Sequence, residues 1–115
     1  KIIERDFNTF SGIELESLFT AILRESKQFN QIGSYWDKKG ENEIDIIAIN
    51  DMDKRILIVE VKRQLKKYNP ATLLIKSSHL LTKLSLKNYQ IEHRCFALDN
   101  LNEVLDEFSA TKPKT

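Results

Sequence analysis

Acidic side chains interrupt two of the most apolar segments of this chain. Residues 43–49 read Glu-Ile-Asp-Ile-Ile-Ala-Ile, and residues 56–62 read Ile-Leu-Ile-Val-Glu-Val-Lys. Burying an unpaired charge is costly, so such segments do not keep ionisable groups without a reason. The carboxylates of Asp45 and Glu60 suit a divalent cation, and the amine of Lys62 suits the charge of a phosphodiester. These residue types therefore favour metal-dependent chemistry on a phosphate ester.

Strand periodicity determines which of these groups can meet. Side chains two residues apart on a strand share a face, so Glu60 and Lys62 are expected to lie together. The five-residue connection 50–54 predicts antiparallel neighbours in which Asp45 and Glu60 lie at similar distances from the turn. We expect these carboxylates to hold one Mg²⁺ or Mn²⁺, with the backbone carbonyl of Val61 as a further ligand. Lys62 would stabilise charge on the phosphate or position an attacking water.

The elements that must position these groups predict an α/β fold. The predicted strands cover 30–39, 43–49, 55–62 and 92–98, and the predicted helices begin at 12 or 13, at 70 and at 100. Asn69 is the expected N-cap of the second helix, with Pro70 in its first turn. The second and third strands are apolar on both faces, so we expect a mixed four-stranded sheet flanked by helices. The second helix should bury an apolar face formed by Leu73, Leu74, Leu80, Leu81 and Leu84.

The composition of the chain limits the classes of protein to which it can belong. The chain has 115 residues, of which 41% are hydrophobic, as expected for one compact domain. We divide it into a lead-in (1–11), a domain (12–108) and a disordered tail (109–115). No apolar run approaches the ~20 residues of a membrane span. The single Cys95 excludes an internal disulfide and a cysteine zinc cluster, and it fits the reducing cytoplasm.

Basic residues cluster next to the acidic segments, although the net charge of the chain is only +1. A local cluster of this kind can hold a phosphate backbone, so DNA is the expected partner. A solvent-exposed loop explains the same residues equally well. The candidate nucleic-acid-binding residues are Lys38, Lys39, Arg63, Gln64, Lys66 and Lys67. Two other side chains have simpler interpretations, since Cys95 is expected to be buried in the last strand and His93 to be structural.

The spacing of Glu16, Asp45 and Glu60-Val61-Lys62 resembles the PD-(D/E)XK nuclease superfamily. The resemblance implies a restriction-endonuclease-like α-β-β-β-α-β core around magnesium, with Glu16 as a further catalytic acid on the first helix. Ile44 stands where the motif has proline, which removes no ligand. The run from Ile32 to Ala48 is similar to the uncharacterised C-terminal domain of archaeal-type (DEXX-box) P-loop ATPases. That similarity implies an ATPase domain before Lys1 as a partner in the same protein.

Three functions remain open on the sequence. The first is a metal-dependent nuclease domain acting on DNA. The second is a catalytically inactive domain of the same fold that binds DNA or a protein, because a fold alone does not establish activity. The third is a homodimerisation domain. A Glu-x-Lys pattern on one strand is also typical of an exposed ion pair worth ~0–1 kcal/mol.

Overall fold

Four strands form one sheet between helices, as the sequence predicts. The computed structural model describes residues 12–36, 43–84 and 88–109. The predicted lead-in, Lys38, Lys39 and residues 110–115 of the predicted tail lie outside these ranges. The elements are α1 (Gly12–Ser26), β1 (Gln31–Trp36), β2 (Glu43–Asn50), β3 (Arg55–Lys62), α2 (Pro70–Leu84), β4 (Gln90–Ala97) and α3 (Leu101–Glu107), with 3₁₀ turns at Leu65–Lys67 and Leu98–Asn100.

The sheet is mixed, and its strand order follows the chain. The order is β1-β2-β3-β4; β2 is antiparallel to both β1 and β3, and β4 is parallel to β3. A parallel neighbour requires a crossover, and α2 supplies it. The two strands that carry the acidic motif are therefore the central strands of the sheet.

Two hydrophobic cores cover the two faces of the sheet and confirm the prediction of helices on both sides. The core under α1 and α3 includes Leu15, Phe19, Leu23, Ile46, Ala48, Leu57, Val59, Phe96, Val104 and Phe108. The core under α2 includes Ile44, Ile47, Ile56, Ile58, Leu73 and Leu80. The prediction that Leu74 is buried is wrong, since it is 53% exposed. Successive helical residues differ by about 100° in direction, and with Leu73 facing the sheet Leu74 lies on the solvent side of the helix.

Local sequence signals predicted the first residue of α2 correctly and the first residue of β4 less accurately. The Asn69 side-chain oxygen accepts a hydrogen bond from the Thr72 amide at 3.2 Å, which confirms Asn69 as the N-cap. β4 begins at Gln90, two residues before its predicted start. In the part of the chain that the structure describes, no helix is both long enough and apolar enough to cross a membrane.

β2 contains a bulge that interrupts its pairing with β1. Gly33 lies opposite Ile47 and Tyr35 lies opposite Ile44, so two residues of β2 occupy the span of one residue of β1. Ile44 and Ile47 consequently belong to the same core although they are an odd number of residues apart. Asp45 lies inside this bulge, where strict alternation of faces is broken.

Candidate functional site

The end of β3 carries a buried acidic group beside a half-exposed lysine. Glu60 and Lys62 share a face, as predicted, with the Lys62 Nζ atom 3.2 Å from Glu60 Oε2. Glu60 is only 8% exposed. Its other oxygen, Oε1, is fully buried and has no hydrogen-bond partner among the described residues. A buried carboxylate oxygen without a partner is costly, so this atom is free to accept a hydrogen bond or to bind a cation.

The bulge directs the Asp45 carboxylate onto the main chain of β3. The ladder between β2 and β3 ends at the pair Ile46–Val59. Beyond it, the Val61 amide donates a hydrogen bond to Asp45 Oδ2 at 2.8 Å, so a side chain replaces the missing backbone acceptor. Asp45 is thereby held next to the Glu60-Val61-Lys62 segment.

Glu16 reaches the same end of the sheet from α1. Its carboxyl group lies near that of Asp45, close enough for the two to affect each other's protonation. Burial, the negative charge and hydrogen bond of Asp45 and the charge of Glu43 raise the pKa of Glu16 to about 7. Two carboxyl groups in contact are stabilised by a shared proton or by a cation, because both cannot easily be charged side by side.

The protein ligands available to a metal ion are few. Among the residues described, no three His, Cys, Asp or Glu side chains are arranged to hold a metal ion by themselves. A magnesium site would therefore use Asp45, Glu60 and the carbonyl of Val61, with water or phosphate oxygens completing the octahedron, which is common for this ion. The unpartnered oxygen of Glu60 and the Asp45 carboxylate have the hard-donor chemistry that Mg²⁺ requires.

A cleft lies at the end of β3, next to the Glu60-Val61-Lys62 motif, and is here called the basic cleft. It has a volume of about 520 Å³ and is lined by Lys62, Arg63, Gln64, Lys67, Leu98 and Asp99. The carboxylate of Asp99 accepts a hydrogen bond from the Leu65 amide at 2.9 Å, which fixes the 3₁₀ turn to the end of β4. Lys66 is exposed on the same turn. The structure thus gathers Arg63, Gln64 and Lys67 around one cavity beside Lys62.

A second cleft beside the acidic groups was not predicted. It lies between α1 and β1, has a volume of about 300 Å³ and is here called the hydroxyl cleft. Its lining combines three hydroxyl residues with apolar and charged ones: Ser17, Thr20 and Ser34, then Ile13, Ile32, Gly33, Arg24, Glu16 and Asp45. The spacing 13, 17, 20 and 24 on α1 is a helical stripe, so this signal was present in the sequence.

Two further residues border the motif, Cys95 on β4 and Tyr68 at the end of the 3₁₀ turn before α2. Cys95 is opposite Glu60 in the parallel ladder and is buried, as predicted. Burial and the charge of Glu60 raise the pKa of its thiol to about 11, against the opposing effect of Lys62, so the thiol stays protonated and unreactive. Tyr68 lies near both, since burial, Cys95 and Glu60 raise the pKa of its phenol.

His93 is structural, in agreement with its predicted role. Its Nε2 atom lies 2.8 Å from the hydroxyl of Ser77, which is 2% exposed on α2. Burial lowers the pKa of His93, so the ring is neutral at pH 7. The pair links α2 to β4.

Comparisons with known proteins give a family without an assigned activity. Residues 1–72 match the family DUF234, described as archaeal and bacterial proteins of unknown function. The chain is similar to the "Uncharacterized protein MJECL04" of Methanocaldococcus jannaschii, at 40% identity over 67 residues. That alignment covers 52% of this chain and 15% of the archaeal protein, which is much longer. No solved structure gives a significant match.

Proposed function

This chain belongs to the DUF234 family, and we propose that it is a metal-dependent nuclease-like domain that hydrolyses DNA phosphodiesters. The proposal includes its place as the C-terminal module of a larger P-loop ATPase in the cytoplasm. The residue pattern of the PD-(D/E)XK superfamily and the α-β-β-β-α-β element order support it. The greater length of the archaeal relative fits a module within a longer protein.

The observation that carries the proposal is the Glu60 carboxylate. It is almost fully buried, and one of its oxygens has no hydrogen-bond partner among the described residues. A purely structural glutamate at this position would be expected to have both oxygens satisfied. A cation bound by Glu60 would satisfy the free oxygen, and a cation bound by Asp45 would remove the conflict between Asp45 and Glu16.

The side chains have distinct roles in this proposal. A bound Mg²⁺ or Mn²⁺ would polarise the phosphate and lower the pKa of a bound water. Lys62 is held by Glu60 with its side chain 37% exposed, so its amine is oriented and still accessible to a phosphate. Glu16 lies next to Asp45, and a cation on Asp45 would favour its ionised form, which could take a proton from the attacking water.

Metal binding and cleavage test the proposal directly. Isothermal titration with Mg²⁺ and Mn²⁺ should show a site in the wild type that Glu60→Gln weakens strongly. Lys62→Ala should lose cleavage of a labelled DNA while keeping its fold and most of its DNA affinity. Lys76→Ala, which removes a lysine of α2 outside both clefts, is the matched control. A wild-type domain that binds neither ion would refute the enzymatic proposal.

An inactive domain of the same fold is the second candidate, and one observation favours it. The described residues hold no group of three metal-ligating side chains, so the site is poorer in acids than a dedicated metal cage. In that case the domain would bind DNA through the basic cleft without cleaving it. DNA affinity that is retained in EDTA, together with no cleavage in either metal, identifies this outcome.

A further inference from the structure

The outer edge of β1 lacks the charges and prolines that normally stop an edge strand from pairing. β1 is the first strand of the sheet, so in the part of the chain that the structure describes no strand lies on its far side. Its sequence, Gln-Ile-Gly-Ser-Tyr-Trp, contains neither a charged residue nor a proline, and the nearby bulge is in β2. Because an open edge is a template for another strand, natural proteins usually protect it by such means. The sequence of β1 therefore leaves this edge open to pairing.

The opposite edge of the sheet, at β4, is protected. Glu92 and Arg94 lie on this strand, and the Arg94 guanidinium donates hydrogen bonds to the carboxylate of Glu107 on α3 at 2.7 and 2.8 Å. Charged side chains on an edge strand oppose the approach of another strand. The described sheet thus has one open edge, so copies that pair through it form a closed dimer and not a filament.

Two clefts flank the same three residues of β1. Ile32, Gly33 and Ser34 line the hydroxyl cleft on the side of α1, and they also line a cleft on the side of α2. This second cleft, here called the apolar groove, has a volume of about 290 Å³. Its other lining residues are Gln31, Tyr35, Ile47, Ile49 and Leu80. Side chains of a strand alternate between its faces, so a strand added to β1 would direct its side chains into the two clefts in turn.

Gly33 leaves space in the apolar groove. Its strand partner Ile47 packs in the core under α2, and directly opposite residues share a face, so position 33 faces the groove. A Cβ atom at Gly33 would meet nothing within 4 Å. Tyr35 lies on the same face, since its strand partner Ile44 belongs to the same core. A glycine within a strand is typical of a place where another chain approaches closely.

A second copy of β1 supplies the side chain that fits this space. Antiparallel pairing about a two-fold axis at Ser34 places Gly33 of each copy opposite Tyr35 of the other. Opposite Cβ positions are about 4.5–5.5 Å apart, within reach of a ring, and an aromatic residue opposite an edge glycine stabilises the pairing. Neither strand carries a charge, so the two copies meet without repulsion, as the self-complementary surface of a two-fold dimer requires.

The start of β1 is held in place before any partner binds. The carboxylate of Asp51, in the turn between β2 and β3, accepts hydrogen bonds from the side chains of Asn30 and Gln31 at 2.8 and 2.9 Å. The hydroxyl of Tyr89 donates to the same carboxylate at 2.7 Å. A strand that is already ordered loses less conformational entropy when it pairs.

We propose that two copies of this chain pair antiparallel through the outer edges of β1, with Ser34 at the two-fold axis, so that their four-stranded sheets become one. No metal or DNA takes part, so the inference is independent of the proposed function. β1 has six residues and is therefore about 20 Å long. A contact strip about 20 Å long and about 20 Å wide covers about 400 Å² per copy, half of the standard area of about 800 Å² per partner. The dimer should accordingly be weak, with a dissociation constant on the order of 10–100 μM.

Sedimentation velocity of the whole chain, from about 1 to about 500 μM, measures this association, because a dimer is favoured by concentration. The average mass of the wild type should rise from that of one chain toward that of two. Gly33→Val adds a side chain where the monomer leaves free space, and valine favours the strand conformation. The variant should therefore dimerise at least about ten-fold more weakly, since the Tyr35 ring of the second copy loses its place. Its melting temperature should be equal to that of the wild type or higher.

A charge exchange at Ser34 tests the two-fold axis. Ser34→Lys and Ser34→Glu each place two like charges opposite each other, so each variant alone should dimerise at least about ten-fold more weakly. An equimolar mixture should regain dimers, because opposite charges then face each other. Any effect of the neighbouring Glu16 and Asp45 within one copy is present both in the mixture and in each variant alone. Ser34 is exposed, so the monomer should keep its fold, and Ser78→Lys on the exposed side of α2 is the matched control.

Each contrary result has a definite meaning. A wild type that stays monomeric at the highest concentration would overturn the inference, and so would a dimer that Gly33→Val leaves unchanged or a mixture of Ser34 variants that stays monomeric. A monomeric wild type that dimerises only after removal of residues 1–11 would assign the edge to that segment instead. Failure to bind metal or to cleave DNA would refute only the proposed function, since neither enters the measurement of mass.

Discussion

Replacing Glu60 with methionine should stabilise the fold while removing metal binding. Methionine has a similar length and no charge, and Glu60 is 8% exposed beside its strand partner Cys95. The change removes a buried oxygen that has no hydrogen-bond partner among the described residues. It also ends the ion pair with Lys62, whose side chain is 37% exposed and can turn to solvent.

The expected size of the effect follows from these two terms. Removing an unsatisfied buried polar group recovers about 1–3 kcal/mol. The half-exposed ion pair that is lost contributes about 0–1 kcal/mol. The free energy of unfolding should therefore rise by about 1.5 kcal/mol, within a range of about 0–3 kcal/mol. At about 3–6 °C per kcal/mol for a chain of this size, the melting temperature should rise by about 5–9 °C.

Denaturant unfolding followed by far-ultraviolet circular dichroism measures this change. Without metal, Glu60→Met should exceed the wild type. With Mg²⁺ at ten times its dissociation constant, the wild type should gain about 1.4 kcal/mol and the variant should gain nothing. The control is Glu92→Met, because the Glu92 side chain is 52% exposed on β4 and its loss should change little. A Glu60→Met variant that is less stable than the wild type by 1 kcal/mol or more, an order-of-magnitude limit, would refute the reasoning.

Three other substitutions test separate parts of the structure. Glu16 has a pKa of about 7 in the fold and 4.5 as a free group. Between these values the native state keeps a proton that the unfolded chain loses, so the free energy of unfolding should fall as the pH rises from about 5 to 8. After allowance for solvent screening, the expected fall is about 1 kcal/mol. Denaturant midpoints should show this slope in the wild type and not in Glu16→Gln; a slope unchanged in the variant would contradict the contact with Asp45. His93 has a lowered pKa, so its contribution to the free energy of unfolding should be fully present above pH 6.5 and should decline below it. In thermal melts, the melting temperature of His93→Gln should therefore fall less on acidification than that of the wild type. Asn69→Ala should lower the free energy of unfolding by about 1 kcal/mol through loss of the N-cap, and an unchanged denaturant midpoint would show that the cap contributes nothing.

The strands and their order could be predicted because the apolar runs are bounded by polar turns. Arg55–Lys62 forms β3 with the predicted limits, since a run of Ile, Leu and Val lies between the turn at Asp53 and the basic segment. The 3₁₀ turn at Leu65–Lys67 was not predicted, because its three residues have no capping or periodic signal. Its position depends instead on a distant contact, the hydrogen bond from the Leu65 amide to Asp99.

The sequence predicted which residues form the candidate site more accurately than it predicted their arrangement in space. Glu60 and Lys62 meet as alternation requires. The bulge at Asp45 could not be foreseen, because Glu-Ile-Asp-Ile-Ile-Ala-Ile fits a regular strand equally well. The hydroxyl cleft combines α1 and β1 residues that only the tertiary structure brings together. Local patterns therefore identified the groups, whereas the packing of α1 on β1 and β2 determined their surroundings.

The hydrogen bond between Asp45 and Val61 links assembly of the site to closure of the sheet. It is the contact that continues the β2–β3 pairing beyond Ile46 and Val59, at an end where strands tend to fray. When this end opens, the carboxylate leaves the Glu60-Val61-Lys62 segment at the same moment. A ligand that binds Asp45 and Glu60 together would suppress this fraying, so amide hydrogen exchange at Val61 would report site occupancy without any measurement of catalysis.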